Sequence, residues 1–232
     1  MGGEFRTGRR HLTIHTTSAV MSEETIAAFH PRETVFIVDD DESIREGLSN
    51  LLEAVGINAK CYSTAEGFSA HWSDAMTGCL LLDARLPGIG GVEFQERLRR
   101  SGARIPVIFM TAHGDIPMVR KVMKAGAVEF LTKPFQKEEL LHAIEQAFAS
   151  DRAFRKEQAI LDSIRARIDS LTPREREVMV LVNAGLLNKQ IAGELNLSEI
   201  TVKMHRRQVM EKMRAGSLAE LVRLCERVRL PL

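Results

Sequence analysis

The feature that most constrains the fold is a strict alternation of two kinds of segment between Thr34 and Phe148. Short runs rich in β-branched and apolar residues predict buried strands, and the longer amphipathic stretches between them predict helices. Continuous apolar strands separated by helices are typical of a parallel sheet that is covered on both faces. The alternation therefore predicts an α/β domain with helices packed on both sides of a sheet.

Five strands and five helices alternate in this region, which predicts a flavodoxin-like domain at residues 33–150 with parallel strand order 2-1-3-4-5. The predicted strands are Val35–Val38, Ile57–Cys61, Cys79–Leu82, Val107–Met110 and Val128–Leu131. The predicted helices are Ser43–Val55, Ala65–Trp72, Gly91–Arg100, Pro117–Ala125 and Lys137–Phe148. In such a sheet all strands end at one edge, where ligands bind.

The remainder of the chain is predicted to be helical. Residues 151–170 lack Pro and Gly and predict a helical linker that continues the fifth helix. An all-α domain of four helices follows at residues 171–232, beginning with a capping box formed by Thr172 and Glu175. Its predicted helices are Pro173–Asn183, Asn188–Leu195, Ser198–Arg214 and Ser217–Arg229, with stops at Gly185, Asn196 and Gly216.

The composition excludes several classes of protein. No apolar run approaches the roughly 20 residues that cross a bilayer, and the N-terminus lacks the apolar segment of a signal peptide. The three cysteines are scattered, which argues against a disulfide framework or a zinc knuckle. We therefore predict a cytoplasmic protein without a membrane partner, in which residues 1–32 form a disordered N-terminal extension.

The two halves of the chain differ in charge. Residues 1–150 contain 16 Lys and Arg against 20 Asp and Glu, whereas residues 151–232 contain 16 against 11. A basic C-terminal half suggests a polyanionic partner, although a solvated basic surface without a partner gives the same count.

Five polar residues stand where predicted strands end: Asp39 and Asp40, Asp83, Thr111 and Lys133. Strand-end Asp and Thr residues are often only caps or turn formers, but five at one edge favour a site. Three carboxylates in one pocket need a cation, and their oxygen ligands suit Mg²⁺. One carboxylate could then attack phosphorus while a hydroxyl and an ammonium hold the other phosphoryl oxygens.

The residues around this edge resemble the receiver domain of two-component response regulators of the FixJ/NarL type. The resemblance rests on Val35–Asp41, Leu80–Asp83, Leu86-Pro87-Gly88, Met110–Pro117 and Phe130–Phe135. It implies that Asp83 is the phosphoacceptor and that Thr111, Lys133 and Phe130 bind the phosphoryl group or switch with it. It also implies a Mg²⁺ site made by Asp39, Asp40, Asp83 and the backbone carbonyl of Arg85, with Asp39 acting largely through water.

The C-terminal half shows a helix–turn–helix layout, in which a second helix enters the major groove of DNA. The runs Leu171–Val178, Asn188–Ala192 and Leu197–His205 are similar to the LuxR-type DNA-binding domain. This resemblance implies that Lys203, Met204 and Arg207 face base edges. It makes Arg206, Lys189, Thr201 and Lys212 candidates for phosphate contacts, which provide affinity without reading sequence.

Together these features predict a response regulator, not an enzyme, with a sensor histidine kinase, double-stranded DNA and RNA polymerase as partners. Phosphorylation at Asp83 is expected to promote homodimerisation and activation of transcription. One alternative is a DNA-binding regulator that works without phosphorylation. A remote alternative is a Mg²⁺-dependent phosphatase of the haloacid-dehalogenase type, in which Asp39 of the run Asp39-Asp40-Asp41 would be the nucleophile.

Overall fold

The computed structural model describes residues 33–112 and 116–229. The predicted disorder of residues 1–32 therefore lies outside the described residues. The chain divides into two compact units, one up to Ala153 and the other from Phe154. Within the described ranges, no helix is both long and apolar enough to cross a membrane.

The first unit contains a five-stranded parallel sheet of order β2-β1-β3-β4-β5, as the sequence predicts. Its strands are β1 (Thr34–Val38), β2 (Asn58–Tyr62), β3 (Gly78–Asp83), β4 (Val107–Thr111) and β5 (Glu129–Thr132). Each lies within two residues of the predicted position at both ends. All strands run in one direction, so their carboxyl ends share one edge of the sheet.

Helices cover both faces of this sheet. They are α1 (Glu42–Glu53), α2 (Ala65–His71), α3 (Gly91–Arg100), α4 (Ile116–Lys124) and α5 (Lys137–Asp169). Successive side chains of a strand point to opposite faces. In β1, accordingly, Val35 and Ile37 pack in a core with α1 and α5, whereas Phe36 and Val38 pack with α2, α3 and α4.

Helix α5 continues without a break to Asp169, as the sequence predicts for the linker. Two charged residues on it contact the start of the sheet within the first unit. Asp151 is buried and accepts a hydrogen bond from the Gly78 backbone N–H at 3.1 Å. Arg152 forms an ion pair with the buried Glu33 at 2.9 Å. The sequence gives no signal for these contacts, which tie this part of α5 to β1 and β3.

The second unit is all-α, with helices α6 (Pro173–Asn183), α7 (Asn188–Leu195), α8 (Glu199–Met213) and α9 (Leu218–Arg227). All four contribute to one apolar core, which also includes Ile164 and Ile168 of α5. The predicted capping box is present, since Thr172 and Glu175 each accept a hydrogen bond from the other's backbone N–H.

Two of the three predicted helix stops are confirmed and one is wrong. Gly185 and Asn196 have φ angles of +84° and +51°, the left-handed conformation that ends a helix. Helix α8 is predicted to run to Arg214 and has Met213 as its last residue, but the left-handed residue that follows is Arg214, with φ of +52°, and not the predicted stop Gly216. The next residue, Ala215, is buried in the core of the unit.

Candidate functional site

Three carboxylates meet at the carboxyl edge of the sheet. Asp39 and Asp40 follow β1, Asp83 ends β3, and these two strands are neighbours with Val38 paired to Leu82. One oxygen from each of the three carboxylates lies within 4.8 Å of the other two. The parallel register thus brings together acidic residues that are more than 40 positions apart in the chain.

Lys133 joins this cluster from the end of β5. Its Nζ lies 2.5 Å from Asp39 Oδ2 and 3.1 Å from Asp83 Oδ2, so a single ammonium bridges both carboxylates. The Lys133 side chain is only 8% exposed. The peptide bond to Pro134 is cis. The ammonium offsets only part of the negative charge of the three acids.

Asp39 is the most deeply buried member of the cluster. Burial raises the pKa of its carboxyl group, the ammonium of Lys133 opposes that rise, and the neighbouring charge of Asp83 adds to it. Both oxygens are engaged, because Oδ1 accepts a hydrogen bond from the Asp41 backbone N–H and Oδ2 contacts Lys133. Asp39 therefore has an environment in which a further cation would be stabilising.

The donor set fits a hard divalent ion. All three acids offer oxygen, and Asp40 is exposed, so an ion held here could keep the water ligands that Mg²⁺ requires. The Asp83 side chain is 13% exposed, and its Oδ1 accepts a hydrogen bond from the Arg85 backbone N–H at 3.0 Å. The role of the Arg85 carbonyl as a ligand stays a prediction.

Thr111 and Phe130 lie on the adjacent pair of strands. Thr111 is buried at the end of β4, and its carbonyl accepts a hydrogen bond from the Lys133 backbone N–H at 2.7 Å. Phe130 pairs with Phe109 in the sheet and packs, partly buried, against the core on the α2–α4 face. A main-chain bond therefore couples the Thr111 position to the lysine of the site.

Gly91 is a positioning residue that the sequence analysis missed. It begins α3, and a Cβ added there would lie 2.2 Å from the backbone oxygen of Asp83. Real Cβ atoms do not approach a backbone oxygen so closely, so only glycine allows α3 to start against the end of β3. The helix that follows Asp83 is thereby packed directly against the acidic edge.

A second set of candidate residues lies on α8. Its buried stripe consists of Val202, Val209 and Met213, so the opposite face points to solvent. Lys203, Met204 and Arg207 are all exposed, as the predicted base-reading role requires. The Arg207 side chain is 82% exposed, and its Nε donates a hydrogen bond to Glu211 at 2.9 Å.

The predicted phosphate contacts have different environments. Lys189 is exposed at the start of α7, whereas Arg206 is partly buried and donates a hydrogen bond to Asn188 Oδ1 at 2.9 Å. The Thr201 hydroxyl lies 2.8 Å from that of Ser198, the N-cap of α8. Arg206 thus links the two helices of the helix–turn–helix.

Lys212 has a structural partner instead. Its Nζ lies 2.6 Å from Oε2 of Glu175, a carboxylate that is almost fully buried. Burial alone would raise the pKa of Glu175, but hydrogen bonds from Lys212 and the Thr172 backbone, together with the Lys212 charge, hold that pKa below its ordinary value. An ammonium that neutralises a buried carboxylate is poorly placed to bind a phosphate, so the structure favours a structural role for Lys212.

Comparison with known proteins identifies the family of each unit. Residues 35–145 match the response regulator receiver domain, and residues 169–225 match the bacterial regulatory proteins of the luxR family. The chain is 47% identical over 192 residues to nodulation protein W of Bradyrhizobium diazoefficiens, covering 83% of this chain and 85% of that protein. It is 44% identical over 191 residues to the transcriptional regulatory protein FixJ of Rhizobium meliloti, covering 82% and 94%.

The solved structure of the response regulator StyR is also similar, with a TM-score of 0.75 and 48% identity over 84% of this chain and 98% of StyR. Full-length FixJ from B. japonicum gives a TM-score of 0.52 and 38% identity, covering 87% and 99%. A receiver domain with an acidic edge and a LuxR-type helix–turn–helix define a class of transcriptional regulators. The chain belongs to this class, the response regulators that join a receiver domain to a LuxR-type DNA-binding domain.

Proposed function

We propose that this response regulator accepts a phosphoryl group on Asp83 from a sensor histidine kinase and then, as a dimer, activates transcription from a specific DNA site. The observation that carries the proposal is the cluster at the sheet edge. Three carboxylates lie within 4.8 Å of one another, and one nearly buried ammonium bridges two of them. A fold needs no such concentration of charge, whereas phosphoryl transfer does.

Asp83 is a better nucleophile than Asp39, the nucleophile in the phosphatase alternative. Asp39 is fully buried, and both of its oxygens are already held by Lys133 and the Asp41 backbone. Asp83 is partly exposed, so a phosphoryl donor can reach it. We propose that a carboxylate oxygen of Asp83 forms a bond to phosphorus while the bond from phosphorus to the donor breaks. The donor keeps that electron pair, and a histidine donor then takes up a proton.

The residues of this edge would hold Mg²⁺ through Asp39, Asp40, Asp83 and the Arg85 carbonyl. The ion, when bound, supplies positive charge to the phosphoryl oxygens and reduces repulsion between the acids. Lys133 is already oriented toward Asp83 and can pair with another phosphoryl oxygen. Thr111 contributes its hydroxyl, and Phe130, on the neighbouring strand β5, changes its packing when Thr111 moves.

The second unit is the part of the chain that we propose binds DNA. We propose a receiver domain at residues 33–150, a helical linker at 151–170 and a DNA-binding domain at 171–232. Phosphorylation promotes dimerisation through the face formed by α4, β5 and α5, which brings two copies of α8 onto two half-sites of an operator. The dimer then activates transcription with RNA polymerase.

Phosphoryl uptake is tested with a small acyl-phosphate donor and the full-length chain. Wild type should gain a phosphoryl group that survives acid quenching but is released by alkali or hydroxylamine, as an acyl phosphate is, only in the presence of Mg²⁺, and Asp83→Asn should gain none. Asp162→Asn is a matched control, because Asp162 is an exposed carboxylate on α5 that pairs only with Arg165 among the described contacts. Equal labelling of wild type and Asp83→Asn would refute the proposal. Label that disappears in Asp39→Asn but persists in Asp83→Asn would favour the phosphatase alternative.

Dimerisation is tested separately by sedimentation of the full-length protein. Beryllofluoride, which mimics a bound phosphoryl group, should double the sedimenting mass of wild type and leave Asp83→Asn monomeric. An unchanged mass for wild type, with DNA binding intact, would support the regulator that works without phosphorylation.

A further inference from the structure

The exposed face of α8 contains an apolar residue that no motif singled out. Ile200 is 80% exposed, the largest exposure among the large apolar residues that the structure describes. It is the second residue of α8, directly after the N-cap Ser198 and Glu199. Full exposure of an Ile side chain loses the stabilisation that burial would give, so a partner surface would explain its presence.

Ile200 shares its face with the predicted base-reading residues. Met204 is four positions further along, one helical turn away, and is itself 53% exposed. Both lie opposite the buried Val202 and Val209. Ile200 and Met204 therefore form an apolar strip, two side chains long, on the outer side of the helix.

The charges beside this strip indicate what covers it. Lys203 and Arg207 lie on the same face and are exposed, so two cations border the strip on one side, and Glu211, also on this face, pairs with Arg207. Cations beside an apolar strip at the N-terminal end of a recognition helix suit the major groove, because phosphates flank base edges there. The apolar group that the major groove presents is the 5-methyl group of thymine.

We infer that Ile200 and Met204 read thymine methyl groups in the operator and that Ile200 is a further specificity-determining residue of the DNA-binding unit. The inference rests on the proposed DNA-binding function. Four residues of helix span about 6 Å, which is close to two base-pair steps of about 3.4 Å. Each half-site should accordingly contain thymines one or two base pairs apart.

The first step of the test is selection of binding sites from a random duplex library by full-length protein treated with beryllofluoride. Thymines in the selected half-sites are then replaced singly by deoxyuridine, which removes only the methyl group. Loss of one methyl contact should weaken wild-type binding about fourfold per half-site. Ile200→Ala should bind the thymine site about fourfold more weakly than wild type and should no longer distinguish thymine from deoxyuridine at one position.

Two controls separate this effect from a general loss of binding. Val180→Ala shortens another exposed apolar residue, on α6, and should leave the preference for thymine unchanged. Lys203→Ala should weaken binding while keeping the effect of the methyl group. Circular dichroism should be the same for all variants, because none of these side chains is buried.

The outcomes distinguish the inference from the proposed function. Selected sites that lack a preferred thymine, or an equal methyl effect in wild type and Ile200→Ala, overturn the role of Ile200 and leave DNA binding intact. Failure of wild type to select any sequence contradicts both. Unchanged DNA affinity in Ile200→Ala, with loss of binding to a protein partner, would assign the strip to that protein.

Discussion

The two candidate sites differ in how deeply their charged side chains are buried. At the sheet edge, Lys133 and Asp39 are 8% and 0% exposed and contact each other. On α8, Arg207 and its partner Glu211 are 82% and 59% exposed. Charges attract far more strongly when water is excluded, and they are far more costly to leave unpaired there. Substitutions at the sheet edge should therefore change both the function and the stability of the protein, whereas substitutions on the exposed face of α8 should change function with little effect on stability.

Lys212 shows that the difference follows burial and not the domain. It belongs to α8, yet it pairs with Glu175, whose side chain is 6% exposed. In that respect it resembles Lys133 more than Arg207. If the comparison is correct, the loss of stability on removing each cation should follow the burial of its partner.

The largest effect is expected for Lys133→Ala. This change leaves the carboxylates of Asp39 and Asp83 without their shared ammonium, which should lower the free energy of unfolding by about 3 kcal/mol at pH 8. The pKa of Asp39 is already raised by burial and should rise further. An acid with a raised pKa binds its proton more tightly when folded, so stability is lost as pH rises through that pKa. The difference in free energy of unfolding between wild type and Lys133→Ala, measured by urea unfolding, should therefore become smaller toward pH 4.

Arg97→Ala is the matched control for this variant. Arg97 pairs with Glu93 on α3, but both side chains are more than half exposed. Arg97→Ala should lower the free energy of unfolding by less than about 0.5 kcal/mol, and this change should depend little on pH. Equal costs for Lys133→Ala and Arg97→Ala would contradict the view that the sheet edge contributes to folding.

An intermediate effect is expected for Lys212→Ala, about 2 kcal/mol at neutral pH. The pKa of Glu175 is held below its ordinary value, so its ionised form stabilises the fold above the unfolded pKa. That contribution disappears as pH falls through the lower, folded pKa. The cost of the substitution should accordingly decrease in acid, which thermal unfolding at pH 7 and pH 3 would detect.

DNA binding provides a second measurement on the same variant. A lysine that contacts a phosphate contributes about one unit to the slope of log affinity against log salt. Lys189→Ala, at an exposed position on α7, should reduce that slope by about 1, whereas Lys212→Ala should leave it unchanged. A reduced slope in Lys212→Ala would instead support the phosphate contact that the LuxR resemblance implies for Lys212.

The elements of both units could be predicted because their signals are local. Apolar runs identified all five strands, and Thr172 with Glu175 identified the start of α6. Parallel strand ends also predicted that Asp39, Asp83 and Lys133 would meet, since topology alone brings them to one edge. Here local pattern and fold point to the same site.

Contacts between distant segments could not be predicted in this way. The partner of Lys212 is 37 residues away, and Arg152 reaches Glu33 over 119 residues. Nothing in the spacing of these residues indicates the pairing, which depends on how helices and strands pack. The left-handed turn at Arg214 is not indicated by residue type either, since glycine is the usual residue for such a turn and stands two positions later.

The smallest effect on stability, below about 0.5 kcal/mol, is expected for Arg207→Ala. Its side chain is 82% exposed and bonds to Glu211 through Nε, so its terminal nitrogens can donate to guanine. This variant should lose preference for the operator over unrelated DNA. Arg206→Ala, in contrast, breaks a bond to Asn188 and should weaken binding to all sequences about equally. Competition assays with both duplexes measure each effect, and the reverse pattern would place base reading on the Arg206 side of α8.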